Sequence, residues 1–319
     1  MMKELINLSN TDYDLQVLLK GQPNVLKDLL SRHNLDGVEM MFAAPWDGIF
    51  PGRQYIQGVH LRFWPSWLDF WQHNSYNLQR IFPNRDALIS EFGTDDCRQW
   101  LELFRKNLRV AAASGAPYFV FHVTNMRPWE LHSRQFASSD REVIKAAADY
   151  INAVTEDIPE DRLLLFENLW WSGLTLQNDE AAAYLLQEVH HKHSGFMFDT
   201  GHFLCSRPQI RTEQESIDYI LHALQSLKKT RKKIYGVHLH CALSGQYALQ
   251  CMQKKPLKTL RESLSYTLDI DSHEPFTNQA VQKIIRTLEP QFLVHEFIPS
   301  DIQELDHKIH IQRQALGWE

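Results

Sequence analysis

Eight short apolar runs recur along the chain, at Leu5–Leu8, Gly37–Met41, Gly58–Leu61, Tyr118–Val123, Leu163–Glu167, Gly195–Asp199, Ile234–His240 and Phe292–Phe297. Each reads as a buried strand, and segments of helical periodicity fall between them. Several of those segments carry helix-start signals. Thr94 precedes Asp95 and Asp96, while Ser139 with Glu142, Thr212 with Glu215 and Ser300 with Gln303 place Ser/Thr three residues before Glu/Gln. Gly115 and Pro117 stop one helix just before the Tyr118 run. No Gly/Ser-rich linker, internal repeat or low-complexity tract interrupts the alternation. The pattern therefore predicts an α/β protein made of a single (β/α)8 barrel over residues 1–319, a length that such barrels reach when their loops are extended.

Two intervals exceed what a minimal barrel needs: residues 62–93 after the third strand and residues 241–277 after the seventh. Both follow strands, so both are expected on the C-terminal face, where barrel enzymes elaborate their sites. The first is a candidate lid or contact between copies of the chain in a homo-oligomer. No stretch approaches the ~18 apolar residues of a membrane span, and the N-terminal residues lack the apolar core of a signal peptide, so the expected address is the cytoplasm. A formal charge of −6 argues against a nucleic-acid partner. The basic run Leu227–Lys233 lies just before strand seven, which puts it on the opposite face from the strand ends. The histidine run 190–193 falls on that same face. Four cysteines form no CxxC pair and are expected to be reduced and mostly buried, with Cys241, beside His240, a candidate pocket residue.

The stretch RLLLFENLWWSGL, 162–174, poses a sharper question, because its apolar run ends on Glu167 and Asn168. An unpaired buried carboxylate is costly, so a partner, a metal or a functional site is expected at that strand's mouth. The other strand ends answer it. They carry Glu39, His60, His122, Asp199 with His202, His238 with His240, and Glu296, and the loop after strand seven adds Asp271 and His273. A barrel converges all of these on one rim. A mixture of carboxylates and imidazoles suits Zn, Mn, Fe or Co better than calcium, which prefers oxygen alone.

In order, DGVEM, GVHL, FVFHVTN, LLFENLWW, MFDTGHF, GVHLH and VHEF resemble the strand ends of the xylose isomerase-like TIM-barrel superfamily, from about Leu5 to Phe297. That superfamily holds sugar isomerases and epimerases of the tagatose and psicose epimerase type, and abasic-site nucleases of the endonuclease IV type. The resemblance to the epimerases implies that Glu167, Asp199, His240 and Glu296 hold one divalent metal. It also implies that Glu167 and Glu296 exchange the proton on the carbon next to the carbonyl, and that His202 contacts substrate. Of His238 and His240 only one is expected to face the cavity centre, and the resemblance selects His240. The endonuclease pattern adds His60, His122, His202, Asp271 and His273 as ligands to two or three ions.

Trp64, Trp67, Trp71, Trp170 and Trp171 are candidate aromatic walls, with Trp64, Trp170 and Glu39 as substrate contacts. Glu39 has a structural alternative as a partner of Arg62, and Asn168 is a candidate to orient Glu167. Arg53, Arg62, Arg127, Lys254 and Lys255 lie in loops after strands and could meet a phosphate or carboxylate. The expected function is a divalent-metal-dependent isomerase or epimerase acting on a small molecule, a sugar or sugar phosphate. The alternatives are a multinuclear hydrolase of the endonuclease IV type, or a metal-dependent barrel with another small-molecule reaction.

Overall fold

The computed structural model describes residues 1–318. Eight parallel strands close into a barrel: β1 (Lys3–Ser9), β2 (Gly37–Met41), β3 (Ile56–His60), β4 (Tyr118–His122), β5 (Leu163–Glu167), β6 (Ser194–Asp199), β7 (Ile234–Leu239) and β8 (Phe292–His295). Neighbours in sequence are neighbours in the barrel. Closure comes from β8 pairing with β1, with Leu5 beside Val294 and Ile6 beside His295. Every expected run forms a strand, because a continuous apolar segment can be buried on both faces only between a barrel interior and a surrounding layer of helices.

Alternate residues sort to the two faces. Leu5, Tyr118, Val120, Leu165, Met197 and Val294 fill the barrel interior. Their neighbours Ile6, Phe119, Phe121, Phe166, Phe198 and Leu293 pack outward, in the same cluster as Leu29, Phe104, Ile144, Leu185, Ile220 and Ile284 of the surrounding helices. The same parity carries Glu39, His60, His122, Glu167, Asp199 and His238 inward, Glu39 from the middle of its strand and the others at or next to the C-terminal ends of theirs.

Helices Pro23–Arg32, Cys97–Ser114, Asp140–Asn152, Asp179–Glu188, Glu213–Ser226, Gln282–Leu288 and Ile302–Leu316 cover the barrel. Ser139 and Thr212 cap theirs as expected. Two caps shift by one or two residues. Asp96, rather than Thr94, accepts from the N–H groups of Arg98 and Gln99, and Asp301 caps the last helix while Ser300 donates to Glu304. A carboxylate directly before the first turn outcompetes a hydroxyl farther back. β2 and β3 are joined without an α-helix, through a 3-10 turn at Arg53–Tyr55.

The two long intervals behave differently. Residues 62–93 form short helices Leu68–Trp71, Ser75–Ile81 and Arg85–Phe92 that pack on the helical layer beside the barrel. There Trp64, Trp67, Phe70 and Phe92 surround Trp100. Residues 241–277 form helices Gly245–Cys251 and Leu260–Ile270, then return through a bridge between Cys241 and Glu274 that delivers Asp271 and His273 to the strand ends. A buried ion pair stitches the loops after β3 and β4 together: the Arg127 guanidinium donates to both oxygens of Asp69, at 2.6 and 2.9 Å, and to Glu130 at 3.1 Å. No helix among the described residues is long and apolar enough to cross a membrane.

Candidate metal centre

The strand ends converge as the barrel requires. His60, from β3, has Nε2 3.1 Å from both His122 Nε2 and Glu167 Oε2, which joins the ends of β3, β4 and β5. His238, from β7, turns Nδ1 toward three carboxylates: Glu296 Oε2 at 3.1 Å, Glu167 Oε1 at 3.3 Å and Asp199 Oδ2 at 3.7 Å. His202 spans the next step, with Nδ1 3.1 Å from Glu167 and Nε2 3.0 Å from Asp271. His273 lies 3.5 Å from Asp271 and stacks on His240 with ring centres 4.2 Å apart. Glu167 is the hub, fully buried and addressed by four imidazoles. The charge that ends β5 is thereby partnered.

Local structure holds these groups in place. Asp199 ends β6 and caps the helix Thr200–Cys205, accepting from the His202 N–H at 2.6 Å, so that capping fixes both ligand-type side chains. Gly201 follows because a Cβ there would lie 1.9 Å from His240 Cε1. Asn168 bonds the Asp199 backbone in both directions.

Three overlapping groups of donors result, with ligand atoms within 4.8 Å of one another in each: His60, His122 and Glu167; Glu167, Asp199, His238 and Glu296; and His240, His273 and Glu296. His238 and His240 both reach the centre, which corrects the expectation that only His240 would. Residues two apart on a strand share a face, and His240 lies one residue past the end of β7.

The electrostatics are those of a nest built around positive charge. Burial works to raise the Glu167 carboxyl, but the imidazoles of His122 and His238 outweigh it and hold Glu167 well below the usual range. Asp199 and Asp271 follow the same pattern, opposed by burial and drawn down chiefly by His202 and His240 around the first and by His273 and His240 around the second. Burial pushes His122 down to about 3, against the pull of Glu167. His202 and His238 go the other way, since nearby carboxylates, Asp199 and Glu296 foremost, overcome burial.

The donors also pass a direct test for a cation. Glu167 Oε1, His122 Nδ1, His238 Nδ1, His240 Nδ1 and Glu296 Oε2 are buried polar atoms that make no hydrogen bond. Native interiors rarely leave such atoms unpaired, and three of them, Glu167 Oε1, His238 Nδ1 and Glu296 Oε2, belong to one donor group. Mixed imidazole and carboxylate donors of this kind fit Zn, Mn, Fe or Co.

Above the nest opens a cavity of about 480 Å³, walled by Phe63, Leu169, Trp170, Trp171, Leu268 and Ile298 among others. Trp170 stands 5.6 Å from the His202 ring, and Phe63 packs tilted against His122 with ring centres 4.2 Å apart. Trp64 does not reach the cavity: it packs on Trp100 at 5.1 Å and donates to the Glu91 carbonyl. Phe63 takes that place because the chain turns outward after it. Glu39 lines the cavity wall but is not paired with Arg62, which stacks over Trp64. Its oxygens instead meet the Tyr118 hydroxyl at 2.6 Å and His238 Nε2 at 3.0 Å. Tyr118 had no signal in the sequence beyond that of an apolar strand residue.

None of the loop cations considered for an anionic substrate lines the cavity. Arg53 stacks on Trp46, Arg127 is held by Asp69 and Glu130, Lys254 lies over Tyr247, and the Lys255 backbone carbonyl pairs with His132. On the opposite face, Lys229 of the basic run pairs with Glu180, and His191 bonds the Arg162 carbonyl. Cys241 is buried against the outer core rather than the cavity.

Comparison with known proteins agrees with this architecture. Among the solved structures that align along nearly the whole chain, three illustrate the likeness. A D-tagatose 3-epimerase-like protein matches at a TM-score of 0.52 and 14% identity, covering 99% of this chain and 97% of its own. An L-ribulose 3-epimerase matches at 0.55 and 10%, covering 99% and 94%, and a D-psicose 3-epimerase crystallised with D-fructose at 0.51 and 12%, covering 99% and 98%. At these identities the likeness speaks for the fold. A search of curated proteins gives no match. The sequence profile described as xylose isomerase-like TIM barrel matches residues 28–289, most of the chain, and the protein belongs to that family.

Proposed function

We propose that the protein is a divalent-metal-dependent isomerase or epimerase acting on an unphosphorylated sugar. The observation that carries this reading is the pair Glu167 and Glu296, which address the same nitrogen of His238, at 3.3 and 3.1 Å, in a donor nest that opens into a walled cavity. The names of the similar structures, epimerases of tagatose-like, ribulose and psicose type, support it.

A cation held by Glu167, Asp199, His238 and Glu296 would polarise a carbonyl and the adjacent hydroxyl, acidifying the C–H between them. The side chains supply the rest. Both glutamates are held in their ionised form, so one would accept the proton from the carbon; the same carboxyl can then return it to the neighbouring carbon, or the other glutamate, once it has taken a proton from water, can deliver one to the opposite face. Phe63 and Trp170 offer flat apolar walls to the carbon face of a sugar and exclude water from it. A phosphate remote from the reacting carbon would meet no Lys or Arg among the described residues lining the cavity, which is why a free sugar is favoured.

One observation supports a second reading. The three donor groups share Glu167 and Glu296, as expected for two or three clustered ions serving a hydrolase. Against it stands the placement of the basic run on the far face. The deciding experiment incubates the metal-loaded protein with free ketoses in D2O. Deuterium appearing in the sugar at the carbon beside the carbonyl supports proton transfer. No exchange with any sugar, together with two or three ions per chain by elemental analysis and cleavage of a phosphodiester, moves the assignment to hydrolysis.

A further inference from the structure

The barrel interior contains a polar chain of which two members, Tyr118 and Glu39, have no part in the proposed reaction. Tyr118, at the start of β4, is fully buried, and its hydroxyl donates to Glu39 Oε2 at 2.6 Å. Glu39 Oε1 lies 3.0 Å from His238 Nε2, and the far nitrogen of that ring faces the carboxylates of Glu167, Asp199 and Glu296. The chain therefore runs from β4 through β2 to β7 across the middle of the barrel. Burying a tyrosine hydroxyl and a carboxylate costs stability unless each is fully paired, so an apolar filling would serve the fold as well or better.

The packing around the chain leaves little freedom. Gly58 is the neighbour of the Tyr118 ring, and a Cβ there would lie 2.1 Å from Cζ, so no larger residue fits. Phe292 packs against the other side with ring centres 4.2 Å apart. The ring is thus wedged with its hydroxyl aimed at one carboxylate oxygen, and that carboxylate is aimed at one imidazole nitrogen. An acceptor at Nε2 assigns the proton to that nitrogen. Nδ1 makes no hydrogen bond despite complete burial and faces the Glu167, Asp199 and Glu296 carboxylates, so a cation binding among them would displace any proton there and take its lone pair.

We propose that Tyr118 and Glu39 are positioning residues that hold His238 in the Nε2-protonated tautomer with Nδ1 free to bind a cation, and thereby set the affinity of the Glu167–Asp199–His238–Glu296 site for its ion. The inference rests on the metal dependence proposed above, but neither residue is required to touch the ion or the reacting carbon. Outer partners of this kind orient a ligating imidazole and raise its basicity, and their loss weakens metal binding by about 10–100-fold.

The test titrates Co2+ into the full chain, following heat and the visible absorption of the bound ion, for the wild type, Tyr118→Phe, Glu39→Gln and Glu39→Ala. The expected order is graded. Tyr118→Phe removes one hydrogen bond to a carboxylate and weakens binding by roughly threefold to tenfold. Glu39→Gln keeps an acceptor for His238 and falls between that and Glu39→Ala, which loses about 10–100-fold with a changed spectrum. A merely structural role would lower resistance to urea in the metal-free protein and leave Co2+ affinity and spectrum alone; that result overturns the proposal. If the wild type itself binds no Co2+, the metal-dependent reading fails as well, and the two failures are thus told apart. A measurement on the wild type needs no variant to fold: nitrogen-15 NMR of the zinc-loaded protein with labelled histidine is expected to show His238 protonated at Nε2. Protonation at Nδ1 overturns the proposal.

Discussion

Asn168 and Asp199 hold each other across the ends of β5 and β6: the Asn168 amide nitrogen donates to the Asp199 carbonyl at 3.0 Å, and its oxygen accepts from the Asp199 N–H at 2.9 Å. Each is the residue at or just after the strand end, so the side chain replaces the next rungs of the ladder and fixes how far apart the two ligand-bearing ends stand. Replacing Asn168 by Ala leaves a buried N–H and a buried carbonyl without partners. The expected cost is about 2–4 kcal/mol of unfolding free energy in the metal-free protein, by urea titration, with weaker Co2+ binding alongside. Asn168→Ala with wild-type stability would show that the clamp is dispensable.

Gly201 tests the space around His240. With a Cβ 1.9 Å from Cε1 of that imidazole, Gly201→Ala must displace the ring, since the helix Thr200–Cys205 is anchored by the Asp199 cap. The expected result is a folded protein with the far-ultraviolet circular dichroism of the wild type and fewer bound ions per chain. Undiminished metal content would mean that His240 is not a ligand.

The fold was legible because a barrel strand must be apolar on both faces, and this leaves a mark that needs no tertiary information. The ring of strand-end groups followed from the same logic. What the sequence could not convey was direction after a strand ends. Nothing in "LRFW" distinguishes the inward Phe63 from the outward Trp64, because the backbone turn beyond His60 decides it. Tyr118 was hidden for another reason: near the start of β4 it reads as core, and only the stagger of β2 against β4 brings its hydroxyl to Glu39. His238 was readable from period two alone, since it shares a face with His240.

The ion pair behind the cavity wall gives a stability prediction. Asp69 accepts two hydrogen bonds from Arg127, and both side chains are buried. Asp69→Ala leaves the guanidinium with Glu130 alone. Removing one partner of a buried pair costs about 3–5 kcal/mol, which is expected to lower the urea midpoint markedly. A shift no larger than that of an exposed Asp→Ala control would mean the charge is satisfied by water.

Acid tests the last helix. The Ser300 hydroxyl and N–H both donate to Glu304, and these bonds pull its carboxyl down to about 2. An unfolded glutamate titrates at about 4.3, so the folded state binds its proton less readily. The stabilisation is present in full above that value and fades as pH falls through about 2. Glu304→Gln is therefore expected to be less stable than wild type at pH 6 and to converge with it near pH 2 in thermal unfolding. A difference that persists at the acid end would locate the effect in packing.

The two glutamates that share His238 give the most direct test of the site. Glu167 is buried and joins the first donor group to the second, while Glu296, at the mouth, joins the second to the third. Glu167→Gln and Glu296→Gln keep size and shape, so the barrel is expected to retain its circular dichroism. Each removes a proton-transfer group as well as a charge from the nest. Turnover of a sugar substrate is then expected to fall by ~10²–10⁴-fold in either variant. Metal binding should separate them. Losing Glu167 withdraws the anion that His60 and His122 share, as well as an oxygen facing His238, so it is expected to cost more bound ion than losing Glu296. A cation saturating the wild type at ~100 times its dissociation constant adds about 2.7 kcal/mol to folding, and the thermal shift on adding Co2+ reads this loss without any assay of activity. Wild-type turnover in either variant would remove that carboxylate from the reaction, whatever its distance from His238.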